Sequence, residues 1–286
     1  MKIECEQGKL KEVIDIANKI SGKHMTLPVL SCLLFQTNKD NTVTIKSTNL
    51  DIGLEVNIPA KVNEQGTVAI PSSVLSSFIS NIPYSDKPIK MEVKDGNINI
   101  SNSKTSGIIK SQSPDDFPSI PRVSSDNVFN IDSIDFVKGL KSVWYSSSVS
   151  SIKPELSSVY IYCDGEYVVF VATDSFRLAE KKIKIKKSKD FEQILIPHKN
   201  IPDIINVLDK INGEVEVTLD KNQVSFSFKD IFLVSRVVDG VFPDYRQIIP
   251  KQYTTEITVL KQDFVNTLKL SNVFSDKFNQ VNIKID

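Results

Sequence analysis

The chain repeats itself with a period of about 125 residues, and this repeat limits its fold more than any other feature. The segments "SPDDFPSIP" and "VDGVFPDYRQIIP" both end a polar stretch with Phe-Pro, at Phe117 and Phe242. Further pairs keep this spacing to within one residue: Leu10 with Phe136, Thr48 with Thr173, and Pro71 with Pro197. Four ordered matches indicate a duplication, which predicts two domains of one fold over residues 1–123 and 124–251.

A third copy begins near the C-terminal end of the sequence. In "ITVLKQDFVNTLKLSNVFSDKFNQVNIKID", Phe264 lies 128 residues after Phe136, and a helical pattern follows it to about residue 273. We therefore expect residues 252–286 to be the start of a third, truncated domain.

Two periodicities alternate within each copy. Apolar residues recur at helical spacing in four segments, 8–20, 71–82, 133–145 and 197–211. Short alternating runs such as "TVTIKST" and "EVEVTLD" lie between them, and Asp95-Gly96 and Asp164-Gly165 stand where hairpin turns belong. The sequence predicts an α+β fold in which two helices per copy pack on antiparallel sheets.

Charge and cysteine content exclude several classes of protein. Lys plus Arg and Asp plus Glu are equal at 35 each, whereas a tight nucleic-acid binder usually carries a basic excess. The N-terminal "MKIECEQGKLKEVID" lacks the apolar run of a signal peptide, so we expect an intracellular, soluble protein. The widely spaced cysteines are expected to be reduced, buried thiols: Cys5, Cys32 and Cys163.

An enzyme, such as a nuclease or hydrolase that uses Asp and His, is the alternative class. His24 and His198 are the only histidines, no metal-binding spacing of Cys or His occurs, and no Gly-rich phosphate loop or Gly-x-Ser-x-Gly turn is present. The acidic pairs Asp115-Asp116 and Asp132/Asp135 lie beside predicted element ends, where Asp caps helices or turns the chain. The sequence therefore predicts no catalytic residue, no metal and no cofactor.

Three motifs and their spacing resemble one family along the whole chain. "TLPVLSCLLFQ" (26–36), "TDSFRLA" (173–179) and "VDGVFPDYRQIIP" (238–250) are similar to segments of the bacterial sliding clamp, the β subunit of DNA polymerase III. The resemblance implies tandem DNA-clamp domains with helices inside and sheets outside. It also implies a head-to-tail homodimer, when full length, that closes a ring around duplex DNA.

The function implied by the resemblance is that of a non-catalytic processivity factor. Such a protein binds duplex DNA weakly and without sequence preference, and tethers the DNA polymerase III α subunit, the clamp loader and other clamp-motif proteins. The resemblance implies a cytoplasmic bacterial protein with no membrane contact. As an alternative, the chain is a clamp-fold binding module that no longer closes a ring, and it is then expected to be monomeric.

The resemblance also implies two sets of site residues. A hydrophobic cleft for partner peptides is implied at Leu156, Thr173, Ser175, Phe176, Arg177, Leu178, Pro243, Arg246 and Ile248. DNA contacts are implied at Lys23, His24, Ser150, His198 and Lys199. Lysines on the first helix of each copy are expected to make the inner face mildly positive: Lys9, Lys11, Lys19, Lys138, Lys141, Lys261 and Lys269.

Overall fold

The computed structural model describes residues 1–22, 27–185, 191, 193–277 and 279–284. It divides the chain into two compact units, Met1–Phe242 and Pro243–Asp286. Two of the predicted DNA contacts, Lys23 and His24, lie outside the described residues. Across the described part of the chain, no helix combines the length and apolar character needed to cross a membrane.

Outside residues 23–26, 186–190 and 192, the first unit contains four α-helices, which lie at the positions that the sequence predicts. They are α1 (Gln7–Ile20), α2 (Ser72–Asn81), α3 (Ser133–Val143) and α4 (Ile201–Leu208). The predicted bounds of α3 and α4 were too wide, because 3-10 turns at Trp144–Ser146 and His198–Asn200 occupy those ends. Asp132 caps α3, and its side chain accepts a hydrogen bond from the Ile134 N–H at 2.9 Å.

Seventeen strands complete this unit within the described residues. In the first copy they are β1 (Lys2–Cys5), β2 (Cys32–Thr37), β3 (Thr42–Thr48), β4 (Ile52–Pro59), β5 (Lys61–Glu64), β6 (Thr67–Pro71), β7 (Ile89–Lys94), β8 (Asn97–Ser101) and β9 (Ser106–Lys110). In the second copy they are β10 (Val128–Asp132), β11 (Ser158–Asp164), β12 (Tyr167–Thr173), β13 (Leu178–Lys184), β14 (Ile194–Pro197), β15 (Glu214–Leu219), β16 (Gln223–Phe228) and β17 (Ile231–Arg236).

The two copies share one strand order. The run β1-β7-β8-β9 in the first copy corresponds to β10-β15-β16-β17 in the second, and β4-β3-β2-β6 corresponds to β13-β12-β11-β14. The paired registers agree as well, since Cys32 faces Pro71 in one copy and Ser158 faces Pro197 in the other. The fold is therefore α+β with a repeated clamp-type topology, as the period predicts.

One sheet runs through both copies. β17 of the second copy pairs antiparallel with β4 of the first, from Ile231↔Val56 to Ser235↔Ile52, so eight strands form a continuous sheet. On the helix side, α1 contacts α2, α3 contacts α4, and α1 also contacts α4 of the other copy. Backbone hydrogen bonds thus join the two copies along a full strand.

The helices are held by their apolar stripes. Leu10, Ile14 and Ala17 of α1 are fully buried, as the helical spacing predicts. In α3, Phe136 packs edge-on against Phe170 of β12 and Phe226 of β16, with ring centroids 5.3 and 5.2 Å apart. This aromatic cluster joins the helix to both sheets of the second copy.

Two expectations about burial were wrong. The helical spacing of apolar residues over 71–82 predicts that Val74 is buried, but half of its surface is exposed, because the buried face of α2 runs through Leu75 and Ile79. Cys163 is only partly buried, whereas Cys5 and Cys32 are buried as expected. Burial raises the pKa of the Cys5 thiol to about 12, which keeps it protonated and unreactive.

The segment between the copies crosses their shared sheet. Ile120 packs on Gly53 of β4, and Val234 of β17 also lies close to this glycine, so a side chain at position 53 would collide with Ile120. Arg122 forms an ion pair with the buried Glu55, and its guanidinium lies 3.9 Å from the centre of the Phe232 ring. The linker is therefore fastened at the line where the two copies meet.

The second unit contains a 3-10 turn at Tyr245–Ile248 and the helix α5 (Lys261–Asn272). Helix α5 lies within the range predicted for the third copy, and none of its described residues is buried. Leu260, Leu270 and Phe274 are exposed at and beyond its ends.

Candidate functional site

The motif "TDSFRLA" forms a tight turn between β12 and β13. The Thr173 hydroxyl donates to the Arg177 carbonyl at 2.8 Å and accepts from the Ser175 N–H at 3.2 Å. The Asp174 carboxylate accepts from the N–H groups of Phe176 and Arg177 at 3.0 and 2.9 Å. Short polar side chains that bond the backbone two and three residues on are typical of such turns.

Asp174 and Arg177 also form an ion pair, with Nε and Oδ2 3.0 Å apart. Partial burial raises the pKa of Asp174, but the N–H groups of Arg177 and Phe176 and the Arg177 guanidinium outweigh it and hold the pKa below its usual value. The guanidinium lies 6.0 Å from the ring centre of Tyr145. Arg177 is thus held at the surface in one orientation.

The turn presents an apolar surface beside this charge. Phe176 is 97% exposed, which is unusual for a large aromatic side chain, and Ser175 beside it is exposed too. Leu178 is half-buried, and Tyr145 is 53% exposed. An exposed aromatic residue next to an oriented guanidinium suits the binding of an apolar peptide side chain.

Leu156 lies in the loop that joins α3 to β11. Its carbonyl accepts from the Ser148 N–H at 2.8 Å, and its own N–H donates to the Lys153 carbonyl at 3.1 Å. The side chains of Leu156 and Thr173 are both buried. Ser150 in the same loop is exposed, and Val149 and Ile152 beside it are 84% and 88% exposed.

His198 is tied to the same loop. The backbone N–H of His198 donates to the Ser157 carbonyl at 2.8 Å, and the ring Nδ1 lies 2.6 Å from the Ser147 hydroxyl. The Ser147 hydroxyl donates to the Trp144 carbonyl at 2.6 Å, which favours the tautomer in which His198 Nδ1–H donates to Ser147. The ring packs against Trp144, with centroids 5.2 Å apart. His198 is therefore built into the structure and half-buried.

Lys199, the next residue, is exposed but paired. Its Nζ lies 2.7 Å from Oδ2 of Asp51, which belongs to the first copy. Lys19 reaches across the same junction, from α1 to Asn206 of α4, at 3.3 Å. Among the other predicted inner-face lysines, Lys141 pairs with Asp209 at 3.1 Å.

The remaining predicted peptide contacts belong to the second unit. Pro243, Arg246 and Ile248 are exposed, and Arg246 and Ile248 lie in its 3-10 turn. Within the first unit the structure brings Thr173, Ser175, Phe176, Arg177 and Leu178 together in one turn. The cleft that combines both groups stays a prediction.

Three residues of the site were missed by reasoning from the sequence. Asp174 stands inside the quoted motif, and its spacing before Phe176 and Arg177 is the signal of a side-chain-capped turn. Tyr145 and Asp51 carry no local signal, because their contacts with Arg177 and Lys199 span long stretches of chain.

Two family models match the chain. The model of the DNA polymerase III beta subunit, N-terminal domain, covers residues 1–121, and that of the central domain of the same subunit covers residues 130–244. These matches follow the period of the repeat and together include most of the sequence.

Individual relatives agree with this assignment. A beta sliding clamp of Synechococcus elongatus is 23% identical over 98% of this chain and 76% of its own length. That of Bacillus subtilis is 24% identical over 96% of this chain and 75% of its own length.

Solved structures share the fold. A crystal structure of the DNA polymerase III beta subunit of Thermotoga maritima is 27% identical and has a TM-score of 0.87 over 95% of this chain and 74% of that one. The DNA polymerase sliding clamp of Bacillus subtilis has a TM-score of 0.88 at 22% identity. With its duplicated topology and both domain models matched, the chain belongs to the DNA polymerase III beta subunit family, the bacterial sliding clamps.

Proposed function

We propose that the chain is a sliding clamp, a non-catalytic processivity factor that encircles duplex DNA and tethers a replicative polymerase in the bacterial cytoplasm. The duplicated topology carries this proposal, because β17 and β4 join two copies into one sheet while their helices contact each other on the other side. We propose that repetition of that junction closes the series of domains into a ring. A ring of this kind is held on DNA by topology, so it needs only weak contacts.

Weak contacts agree with the distribution of charge. The chain carries equal numbers of acidic and basic residues, and among its candidate DNA contacts in the described part of the chain Ser150 and Lys199 are exposed and His198 is half-buried. Lysines that meet phosphate carry no sequence information. We propose Lys23, His24, Ser150, His198 and Lys199 as the DNA-facing set.

The turn of "TDSFRLA" is proposed to bind the partner peptide. Phe176, Arg177 and Leu178 present an exposed aromatic ring, an oriented charge and a half-buried aliphatic side chain within three residues. The partners proposed are the polymerase α subunit, the clamp loader and other proteins with an apolar clamp-binding motif. Leu156, Thr173, Ser175, Pro243, Arg246 and Ile248 complete the proposed cleft.

A self-association surface follows from the same repeat. β9 occupies the place in the first copy that β17 occupies in the second, and β9 forms the edge of its sheet among the described strands. Beside it lies a groove of about 680 Å³, lined by Val74, Phe78, Ile82, Thr105 and polar residues of α2. We propose that β9 and α2 join a second copy of the protein head to tail.

The limits of the repeated domains are part of this proposal. We assign residues 1–123 and 124–251 to the first two clamp domains and residues 252–286 to the third. The shared sheet explains why Met1–Phe242 is a single compact unit although we assign to it the first domain and most of the second.

A second candidate function is a clamp-fold binding module that does not encircle DNA. The absence of any buried residue in α5, among those described, is the observation that favours it. Loading onto DNA with the clamp loader and ATP separates the two functions. A sliding clamp stays on a nicked circular plasmid during gel filtration and leaves it after linearisation.

The same experiment includes a peptide titration. A binding module takes up a fluorescent clamp-motif peptide but is retained equally poorly on circular and linear DNA. Absence of both peptide binding and DNA retention would contradict both functions.

A further inference from the structure

The ion pair between Lys199 and Asp51 joins a proposed DNA contact to an acidic residue of the other copy. The two residues lie 148 positions apart in sequence, and Nζ and Oδ2 are separated by 2.7 Å. Side-chain exposures of 65% and 36% leave the pair open to solvent. A carboxylate oxygen at this distance occupies the position that a phosphate oxygen would take on the same ammonium group.

The positions of both residues are determined by contacts other than the ion pair. Next to Lys199, the buried Asn200 donates from Nδ2 to the Ser235 hydroxyl at 3.0 Å, at the end of β17. The Asp51 carbonyl accepts from the N–H of Arg236, the following residue of β17, at 2.8 Å. The end of β17 therefore places Lys199 and Asp51 side by side.

The turn that carries Asp51 is itself rigid. The Asp51 N–H donates to Oδ1 of Asn49 at 3.0 Å, and the Thr48 hydroxyl closes the turn by donating to the Ile52 carbonyl at 2.7 Å. An acidic side chain on such a turn keeps its position when the lysine moves away.

We infer that Asp51 is a built-in counter-ion that competes with DNA phosphate for Lys199 and so weakens the grip of the protein on DNA. This inference rests on the proposed function. Exposed ion pairs of this kind are weak, so a phosphate displaces the carboxylate at little cost. The arrangement favours sliding, because the Asp51 carboxylate competes for Lys199 whenever this lysine contacts the DNA backbone.

Four variants test the inference: Asp51→Asn, Lys199→Gln, the double variant, and Glu166→Gln as a matched control. Glu166 pairs with Lys184 at 3.0 Å, and both side chains are exposed, so its replacement changes the net charge equally. It lies at the far end of β11 from His198, about 20 Å away at a rise of roughly 3.3 Å per residue. The control separates a local effect from one of overall charge.

Binding to a fluorescent 30-base-pair duplex is measured by anisotropy over a range of salt concentrations. We expect Asp51→Asn to tighten binding about two- to fivefold at low salt. The slope of log K against log[salt] should change by less than one unit, because Lys199 meets a phosphate in the complexes of both proteins. Lys199→Gln should weaken binding, the double variant should match Lys199→Gln, and Glu166→Gln should behave as wild type.

Two results would overturn the inference while leaving the proposed function intact. One is an Asp51→Asn variant that binds DNA no more tightly than Glu166→Gln, and the other is a gain that persists in the Lys199→Gln background. Loss of DNA binding by every variant and by wild type would instead contradict the proposed function. Equal melting temperatures of wild type and Asp51→Asn exclude a change of fold as the cause.

Discussion

Leu50 and Ser175, 125 residues apart in the sequence, adopt the same left-handed backbone conformation, with φ of 74° and 76°. Each lies two residues after a threonine whose hydroxyl closes the turn, Thr48 onto the Ile52 carbonyl and Thr173 onto the Arg177 carbonyl. A branched or polar L-residue rarely adopts such a φ, so its recurrence is strong evidence of common ancestry for the two copies. Only the second turn carries an exposed aromatic side chain.

The paired threonines separate a structural role from a binding role. We expect Thr173→Val and Thr48→Val each to lower the free energy of unfolding by about 1–3 kcal/mol, because each removes a buried hydroxyl that makes two hydrogen bonds. Only Thr173→Val should weaken the binding of a clamp-motif peptide, since its turn presents Phe176 and Arg177. Denaturation and fluorescence titration measure the two effects, and equal peptide affinity of both variants would contradict the assigned site.

Leu178 provides a direct test of the apolar contact. We expect Leu178→Ala to weaken peptide binding at an unchanged fold, because truncation removes apolar area from a half-buried position. Ile108→Ala on the exposed edge strand β9 is the control and should leave peptide affinity unaltered. A large fall in melting temperature together with wild-type affinity would identify Leu178 as a core residue instead.

Asp174 makes the turn sensitive to acid. Its folded pKa lies below the unfolded value, so its contribution to stability is present above about pH 4 and is lost as the pH falls through the folded pKa. Asp174→Asn removes the charge and keeps an acceptor oxygen. The melting temperature of wild type should exceed that of the variant at pH 7, and the difference should shrink below pH 4. A difference in melting temperature that grows in acid would contradict a lowered pKa of Asp174 in the folded protein.

Two helical glycines should respond to alanine in opposite directions. A methyl group at Gly139 of α3 would collide with the fully buried Phe170 ring, so Gly139→Ala should destabilise the protein by about 1–3 kcal/mol. At Gly8 of α1 the added carbon meets only the end of the flexible Glu6 side chain, at 3.1 Å. Gly8→Ala should therefore stabilise by about 0.5 kcal/mol, through helix propensity alone. Urea denaturation of both variants gives the two signs.

Arg122 should couple to Phe232 across the junction of the copies. Arg122→Ala removes the cation above the ring and one partner of Glu55, which keeps Lys46 at 3.2 Å. Because Arg122 is largely exposed, we expect a loss of only about 1 kcal/mol. A double-mutant cycle with Phe232→Leu should give a coupling of about 0.5–1 kcal/mol. Additive losses would show that the linker does not depend on this contact.

The amino-acid sequence alone predicts the repeat, the α+β class, the hairpins at Asp95-Gly96 and Asp164-Gly165, and the buried stripe of α1. Each of these depends on short-range rules, namely the spacing of apolar residues along one element and the backbone freedom of turn residues. The two threonine turns could have been predicted for the same reason, since every hydrogen bond in them spans four residues or fewer.

Contacts between residues of different copies could not be predicted from the sequence, because they depend on how the folded elements pack. Three such contacts join residues far apart in the chain: β17 pairs with β4, Ile120 packs on Gly53, and Asp51 lies beside Lys199. Periodicity assigns a residue to a face of its element but carries no information about what packs there. For the same reason the exposure of Val74 and Cys163 could not be predicted, because burial depends on neighbours that the packing of distant elements supplies.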